Sequence, residues 1–263
     1  MGKKNKLKKF EETKTFSNFF QPSYFDVKNG YYLKGNWNVI VFKNSNPIVL
    51  ELGCGKGEYT IGLAMRDKDI NYIGVDIKGA RMWKGSKISN EKKLTNVAFL
   101  RTNISLIENF FDKNEISEIW VVFPDPQPRG SKSKKRLTSP EFLKSYTSFL
   151  KPEGKINLKT DSQELYDFTL DVINEFNLEL ISKSNNIYND KIVGPITEIQ
   201  TFYEKIWLEE DKTIKFVSFS LGKLNFGNPS AMQKLLEKEG IIVENDKIIN
   251  FEKHFWKPNS LKI

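Results

Sequence analysis

The sequence Ile48-Val49-Leu50-Glu51-Leu52-Gly53-Cys54-Gly55-Lys56-Gly57 decides the fold of this chain. Its first five residues are an apolar run typical of a buried strand, and the glycines allow a tight backbone turn that approaches a ligand closely. A helical pattern follows at 59–67. The stretch therefore predicts a strand, a turn and a helix, which open a nucleotide-type α/β domain.

The same alternation continues along the chain. Short apolar runs predict strands at 48–52, 72–76, 97–101, 119–123 and 155–159. Helical patterns between them predict helices at 59–67, 80–93, 106–111 and 140–150. This alternation predicts an α/β fold with a doubly wound, mostly parallel sheet in a Rossmann-like arrangement. Later patterns predict a helix at 162–175, strands at 178–182 and 215–221, a loop over 184–199, and a C-terminal helix and strand at 230–239 and 241–251.

Composition predicts three regions: an N-terminal extension over 1–45, a central domain over 46–222 and a C-terminal extension over 223–263. The first nine residues contain five lysines, and an aromatic group follows, made of Phe10, Phe16, Phe19 and Phe20. Two interpretations of this extension stay open. It is either a solvated arm that docks one or two aromatic rings on the body, or an arm that orders on RNA.

The overall charge points to a polyanionic partner. The 263 residues include 41 Lys and Arg against 33 Asp and Glu, a net charge of +8, and the pI is near 9.2. The one cysteine, Cys54, excludes an internal disulfide and multi-cysteine zinc sites, and the one histidine, His254, lies near the C-terminus. Histidine-dependent nucleophilic catalysis and His-ligated metals are therefore disfavoured. No apolar run approaches membrane-spanning length, which predicts a cytoplasmic protein.

Polar side chains end the first three predicted strands of the central domain. Glu51 precedes a G-x-G-x-G turn, where an acid would repel a pyrophosphate but suits the amino and sulfonium groups of S-adenosylmethionine. Asp76 is placed either to bind both ribose hydroxyls of a nucleoside or to cap the following helix. Asn103 is placed to pair with an adenine edge, although asparagine after a strand is more often a turn residue. All three are expected at the carboxyl edge of the sheet, where α/β folds bind ligands.

The fourth strand ends in Phe123-Pro124-Asp125-Pro126. The two prolines stiffen the backbone around Asp125, so its carboxylate is held with little loss of entropy on binding; a purely structural turn is the alternative. A cluster of cations follows, made of Arg129, Lys132, Lys134, Lys135 and Arg136. This run is either a solvated loop or a loop that grips phosphates beside the carboxylate.

Two later motifs complete the pattern. Asp161 ends the fifth predicted strand, and Thr201-Phe202-Tyr203-Glu204 precedes an apolar run. By itself, the Thr-x-x-Glu spacing indicates a helix capping box.

In this order, these motifs resemble the tRNA (guanine-N7-)-methyltransferase family over about 48–221. The resemblance implies transfer of a methyl group from S-adenosylmethionine to N7 of guanine 46 in the tRNA variable loop, with S-adenosylhomocysteine as product. It implies no metal and no obligate protein partner. It implies cofactor contacts at Glu51, Gly53, Gly55, Gly57, Asp76, Asn103 and Asp125, with Asp125 also the catalytic acid. It implies substrate contacts at Arg129, Asp161, Thr201, Phe202, Tyr203 and Glu204, with RNA held by Lys132, Lys134, Lys135 and Arg136.

The chain departs from the family pattern at three points. Gln127 replaces the usual tryptophan, Asn103 replaces a frequent acid, and the basic run has no histidine. Three other functions stay open on sequence alone: a methyltransferase for another RNA or a protein, a non-catalytic RNA-binding subunit, and a nicotinamide dehydrogenase. The last is disfavoured by the G-x-G-x-G spacing and by the lack of a catalytic histidine or Tyr-Lys pair.

Overall fold

The computed structural model describes residues 3–128 and 130–222, and beyond these two short strands at 243–244 and 247–248. The chain divides into two compact units, Met1–Lys223 and Leu224–Ile263. The N-terminal extension and the central domain predicted over 46–222 thus fall within one unit.

The first unit is built around one mixed sheet. Its strands in the described residues are β1 (Phe19–Phe20), β2 (Ile48–Leu52), β3 (Asn71–Asp76), β4 (Val97–Arg101), β5 (Ile116–Val122), β6 (Leu150–Thr160), β7 (Glu179–Ser184) and β8 (Lys215–Ser220). They lie side by side in the order β1-β4-β3-β2-β5-β6-β8-β7. β8 runs antiparallel to both of its neighbours, and the other described pairs are parallel. The predicted doubly wound, mostly parallel sheet is confirmed.

The helices of the described residues connect these strands. They are α1 (Lys3–Thr13), α2 (Tyr24–Lys28), α3 (Glu58–Arg66), α4 (Gly79–Glu91), α5 (Pro140–Tyr146), α6 (Gln163–Glu175), α7 (Pro195–Glu198) and α8 (Phe202–Glu209), with a π-helix at Trp37–Phe42 and 3₁₀ helices at Ile104–Asn109 and Gly130–Lys135. None of the helices in this described part is long and apolar enough to cross a membrane.

Three sequence predictions differ from this structure. The helix predicted at 106–111 is a 3₁₀ helix at Ile104–Asn109. The indole N–H of Trp37 donates a hydrogen bond to the carbonyl of Phe110 at 2.9 Å, at the point where an α-helix would continue. The helix predicted at 140–150 ends at Tyr146, because Leu150 already pairs with Ile116 as part of β6. The loop predicted over 184–199 contains the short helix α7.

The central strands are buried on both faces, as expected when helices cover a parallel sheet. Every residue of β2 is buried, including the charged Glu51. The ends of β2, β3, β5 and β6 therefore deliver their polar side chains to one edge from an apolar interior.

The N-terminal extension packs against this body. In α1, Glu12 accepts hydrogen bonds from the Trp83 indole at 2.7 Å and from Lys87 at 3.0 Å, both on α4. The ring of Phe10 lies 4.9 Å from the guanidinium of Arg101. β1 then adds to the outer edge of β4, with Phe19 in the core. Of the two interpretations that the sequence left open, docking of aromatic rings on the body is the one seen here; the helix and the strand were not predicted.

In the second unit, the described residues are β9 (Val243–Glu244) and β10 (Lys247–Ile248), which pair antiparallel. They lie within the strand pattern predicted at 241–251. The helix predicted at 230–239 lies outside the described residues.

Candidate active site at the carboxyl edge of the sheet

A cavity of about 430 Å³ opens where β2, β3 and β5 end. Predicted site residues from four separate stretches of sequence line it: Glu51, Gly53, Gly55, Asp76, Asp125, Lys135, Thr201 and Tyr203. The structure therefore brings the predicted cofactor acids, the catalytic acid and part of the substrate segment (residues 201–204) into one pocket.

The glycine turn (residues 53–57) forms one wall of the cavity. Gly53 and Cys54 donate N–H groups to the carbonyl of Val75 at 2.8 and 3.0 Å, which ties the turn to β3. Gly55 has a φ of +56°, and a Cβ added there would meet no atom within 4 Å. Gly57 has a φ of +72°, and its Cβ would lie 2.5 Å from the ring of Phe99. The turn thus packs tightly at Gly57 and leaves its backbone open to a ligand at Gly55.

Glu51 places a carboxyl group at the buried floor of the cavity. It accepts the backbone N–H of Thr60 at 2.7 Å and also the Thr60 hydroxyl, so it fixes the first turn of α3. Burial, partly opposed by these hydrogen bonds, raises its pKa to about 8. A bound cation would favour its ionised form, because no lysine or arginine of the described residues pairs with this buried carboxylate.

Asp76 links the glycine turn to the start of α4. One carboxylate oxygen accepts the N–H of Gly55 at 2.9 Å and the other accepts the N–H of Lys78 at 2.7 Å. Each oxygen keeps acceptor capacity for a further donor, such as a hydroxyl in the cavity. Asp76 therefore holds the wall in shape and still presents acceptors to a ligand.

Asn103 lies outside the cavity lining. Its side chain is exposed and accepts the N–H of Ser105 at 3.1 Å, which caps the 3₁₀ helix. The turn role that the sequence left open is the one seen here, and the neighbouring Ile104 lines the cavity instead.

The Asp125 loop (residues 123–127) borders the opposite wall. Phe123 and Gln127 have φ values of +48° and +47°, which are uncommon for residues with a Cβ. Three contacts enforce this shape: Phe123 donates its N–H to the carbonyl of Lys159 at 2.8 Å, its ring packs 4.7 Å from Trp207, and Asp125 accepts the N–H of Gln127 at 3.0 Å. The loop is over-determined, as expected where a strained backbone presents a functional group.

Arg136 departs from the predicted phosphate contact. Its guanidinium is buried, donates to the carbonyls of Pro126 at 3.0 Å and Gln127 at 3.2 Å, and pairs with Glu164. These contacts direct its Nε and one terminal nitrogen into the protein, because a rigid fork fits the turned carbonyls of the Asp125 loop. Arg136 holds that loop in place.

The rest of the basic loop (residues 130–135) faces outward. Lys132, Lys134 and Lys135 are exposed on a 3₁₀ helix, and Lys135 lines the cavity. Lys134 lies 3.7 Å from Glu141. Arg129 lies outside the described residues. Asp161 is half-buried after β6, accepts Lys215 through its backbone carbonyl at 3.3 Å, and is not among the cavity-lining residues.

The substrate segment begins α8 and is anchored from below. Thr201 and Glu204 form the capping box that the sequence predicted. The carboxylate of Glu204 is fully buried and pairs with the equally buried Lys159 at 2.7 Å. It also accepts the hydroxyl of Tyr188 at 2.7 Å. The rings of Phe202 and Tyr203 are about half exposed, so these two side chains are the accessible part of the segment.

Lys159 was missed by the sequence analysis. It lies on β6 beneath the rings of Tyr59 and Phe123, and its burial lowers the pKa of its ammonium group, against the opposing effect of Glu204. The available signal was a lysine next to an apolar residue at the end of a central strand, where a charge is tolerated only if it is paired. Its partner lies 45 residues later, which no local pattern indicates.

The glycine turn also contacts the substrate segment directly. The backbone N–H of Phe202 donates to Glu58 at 2.9 Å, and the ammonium of Lys56 lies 4.5 Å from the ring of Phe202. The glycine turn and the start of α3 are thus joined to the substrate segment beside the cavity. Within the described residues, no group of three or more His, Cys, Asp or Glu side chains is placed to hold a metal ion.

The fold is shared with a solved methyltransferase. The 16S rRNA methyltransferase KamB superposes with a TM-score of 0.53 at 15% identity, covering 68% of this chain and 90% of that chain. At this identity the likeness concerns the fold alone.

Other proteins are much more similar to this chain in sequence. A family model described as "Putative methyltransferase" matches residues 45–217. The tRNA (guanine-N(7)-)-methyltransferase of Christiangramia forsetii is 48% identical over 223 residues, covering 84% of this chain and 100% of that protein. The protein of the same name from Bacteroides fragilis is 46% identical over 222 residues, covering 84% of this chain and 87% of that protein. With matches of this extent and identity, the chain belongs to the tRNA (guanine-N7)-methyltransferase family.

Proposed function

We propose that this protein transfers the methyl group of S-adenosylmethionine to N7 of a guanine in tRNA, at position 46 of the variable loop. The observation that carries the proposal is that Glu51, Asp76 and Asp125 line one cavity together with Lys135 and Tyr203. Carboxylates suit a cationic cofactor, and a lysine with an aromatic ring in the same cavity suits a nucleotide of RNA.

The residues of the glycine turn fit S-adenosylmethionine. The backbone at Gly55 is open where a Cβ would otherwise intrude, and the cavity of about 430 Å³ has the size of a cofactor site. Glu51 and Asp76 would accept hydrogen bonds from the amino group and the ribose hydroxyls. When bound, S-adenosylmethionine supplies an electrophilic methyl group on its sulfonium. The proposed contact at Asn103 requires its side chain to turn away from the N–H of Ser105 and toward the cavity.

The chain's own contribution to the reaction is orientation and electrostatics. Guanine N7 carries a lone pair and no proton, so the site needs no general base. Asp125, with Asp161 at the end of β6, would accept hydrogen bonds from the N1 and N2 donors of the guanine. Their charge favours the base as it becomes cationic. Orientation of a reactant in this way contributes about 7–11 kcal/mol.

The exposed cations of the basic loop are proposed to hold the RNA backbone. N7 lies on the Hoogsteen edge of the guanine, and we expect the variable loop to loosen so that this base can enter the cavity. We expect chemical probing to show variable-loop nucleotides that become reactive when the enzyme binds. An unchanged probing pattern would contradict this step.

The deciding experiment is methyl transfer from labelled S-adenosylmethionine to tRNA transcripts by the purified chain. One set of transcripts carries 7-deazaguanine at the variable-loop position. We expect transfer to the normal tRNA and none to the deaza tRNA. Transfer that persists with the deaza tRNA would show that the methyl group goes to another atom or another nucleotide. No transfer to either tRNA would reject the proposal. Activity of the purified chain alone would also support the proposal that no protein partner is required. The cytoplasmic location stays a prediction.

A further inference from the structure

Two cations on the rim of the cavity have no role in the site described so far. Lys78 and Arg81 line the cavity at the start of α4, and both are exposed. In the described part of the chain, neither side chain makes a hydrogen bond, an ion pair or a ring contact; the hydrogen bonds of Lys78 involve its backbone, which donates to Asp76 and accepts the N–H groups of Arg81 and Met82. They differ from their neighbours on α4, because Lys84 lies 3.6 Å from Glu58 and Lys87 lies 3.0 Å from Glu12.

The position of these cations argues against a role toward the cofactor. Both follow Asp76 in the chain, and Asp76 is proposed to bind the ribose. S-adenosylmethionine carries its one anionic group, the carboxylate, at the amino acid end, and its ribose and adenine are uncharged. Two free cations at the nucleoside end of the cavity therefore lack an anionic partner in the cofactor. An RNA backbone, with one negative charge per nucleotide, supplies such a partner.

The topology places these cations opposite the basic loop. Lys78 and Arg81 follow β3, whereas Lys135 follows β5, and β2 with the glycine turn lies between them. A guanosine that enters the cavity carries a phosphate on each side. A cationic contact on each side of the mouth matches that arrangement, and the basic loop alone supplies only one of them.

We propose that Lys78 and Arg81 form a second phosphate-binding site for the RNA, across the cavity from the basic loop. The entering nucleotide is then held by its flanking phosphates from both sides, which orients the base in the cavity. This inference rests on the proposed function, since it takes the substrate to be an RNA nucleotide.

The test compares the double variant Lys78→Gln/Arg81→Gln with the control double variant Lys113→Ala/Lys144→Ala. The control removes the same charge from two exposed lysines; Lys113 precedes the start of β5 and Lys144 lies in the last turn of α5. The measurements are tRNA affinity as a function of salt concentration and S-adenosylmethionine affinity by calorimetry. A third variant, Lys78→Arg/Arg81→Lys, keeps the charges.

We expect the Gln variant to bind tRNA more weakly, with a salt slope smaller by about 1.4–1.8 for two lost phosphate contacts. Cofactor affinity should stay unchanged, and the Arg/Lys exchange should restore most of the tRNA affinity. A tRNA affinity and slope equal to those of the control would overturn the inference, and so would a loss of cofactor affinity. Wild-type protein that neither binds nor methylates tRNA would reject the proposed function itself, which separates the two failures.

Discussion

The two sides of the cavity are held by different kinds of bond. On the cofactor side, Glu51 and Asp76 accept backbone N–H groups, and the glycine turn bonds to the backbone of β3. On the substrate side, charged side chains carry the structure: Lys159 and Glu204 form a fully buried pair, and the buried Arg136 pairs with the half-exposed Glu164 while holding the Asp125 loop. A framework of backbone bonds survives most side-chain changes, whereas a buried ion pair fails when one partner is removed.

The sharpest way to break the substrate side is Lys159→Met. The change leaves the carboxylate of Glu204 buried without its cation, and we expect the free energy of unfolding to fall by about 3–5 kcal/mol. Denaturant titration measures the loss. The double variant Lys159→Met/Glu204→Leu should regain a large part of it, because no uncompensated charge remains. A single variant as stable as the wild type would show that the pair does not hold this side together.

Asp125 lies in the loop that Arg136 holds on the substrate side. Asp125→Asn keeps the shape of the side chain but removes the charge that favours a cationic guanine, so we expect kcat to fall by about 100-fold or more. The tRNA affinity should change little. Single-turnover methylation and filter binding measure the two effects, with Asp171→Asn on α6 as a matched exposed control. Turnover close to that of the control would remove Asp125 from the catalytic role.

On the cofactor side, we expect the largest loss of stability where the backbone is crowded. Gly57→Ala places a methyl group 2.5 Å from the ring of Phe99 at a φ of +72°. We expect a loss of about 2–4 kcal/mol in unfolding free energy, from the backbone conformation and the overpacking together. Gly55→Ala also has a positive φ but meets no neighbour, so it should cost about 1–2 kcal/mol. Equal losses in thermal or denaturant unfolding would contradict this difference.

On the cofactor side, the titration of Glu51 makes the free energy of unfolding depend on pH. Its pKa is raised from 4.5 to about 8, so the folded protein holds a proton that the unfolded chain releases between these values. The free energy of unfolding without cofactor should therefore fall as pH rises through this window, by at most about 1.4 kcal/mol per unit. Denaturation at several pH values measures the slope. Glu51→Gln should lack this component; an identical slope in the variant would assign it to another group.

The smallest effect is expected where an ion pair lies at the surface. Arg66 and Glu198 also link α3 to the stretch that precedes the substrate segment, at 2.7 Å, but their side chains are 45% and 46% exposed. Arg66→Ala should reduce the unfolding free energy by only about 0.2–1 kcal/mol, because water screens the pair. A loss as large as that of Lys159→Met would erase the distinction between buried and exposed charges.

The sequence predicted the cofactor side better than the substrate side for a physical reason. Ile48–Leu52 and Val97–Arg101 have the predicted bounds, and the ends of parallel strands meet at one edge, so Glu51 and Asp76 could be placed from local patterns. Asn103 ends a strand as well, but its side chain caps a turn, which a one-residue pattern does not distinguish from a ligand contact.

The substrate side depends on contacts between distant residues. Arg136 belongs to a cluster of exposed lysines in the sequence, yet Glu164 on α6 and the turned carbonyls of Pro126 and Gln127 bury it. Glu204 forms the predicted capping box, but the cation that compensates its buried carboxylate is Lys159, which lies on another element. Such roles arise from packing, and charge patterns along the chain do not contain them.

The position of β8 has a consequence for the synthesis of the chain. β8 is the last strand of the sheet to be made, yet it lies between β6 and β7. While the chain is still growing on the ribosome, β6 and β7 each lack this neighbour, and their backbone groups remain available to other strands. Chains released before residue 215 would keep this open gap and be prone to association, whereas the full chain closes it with one antiparallel strand.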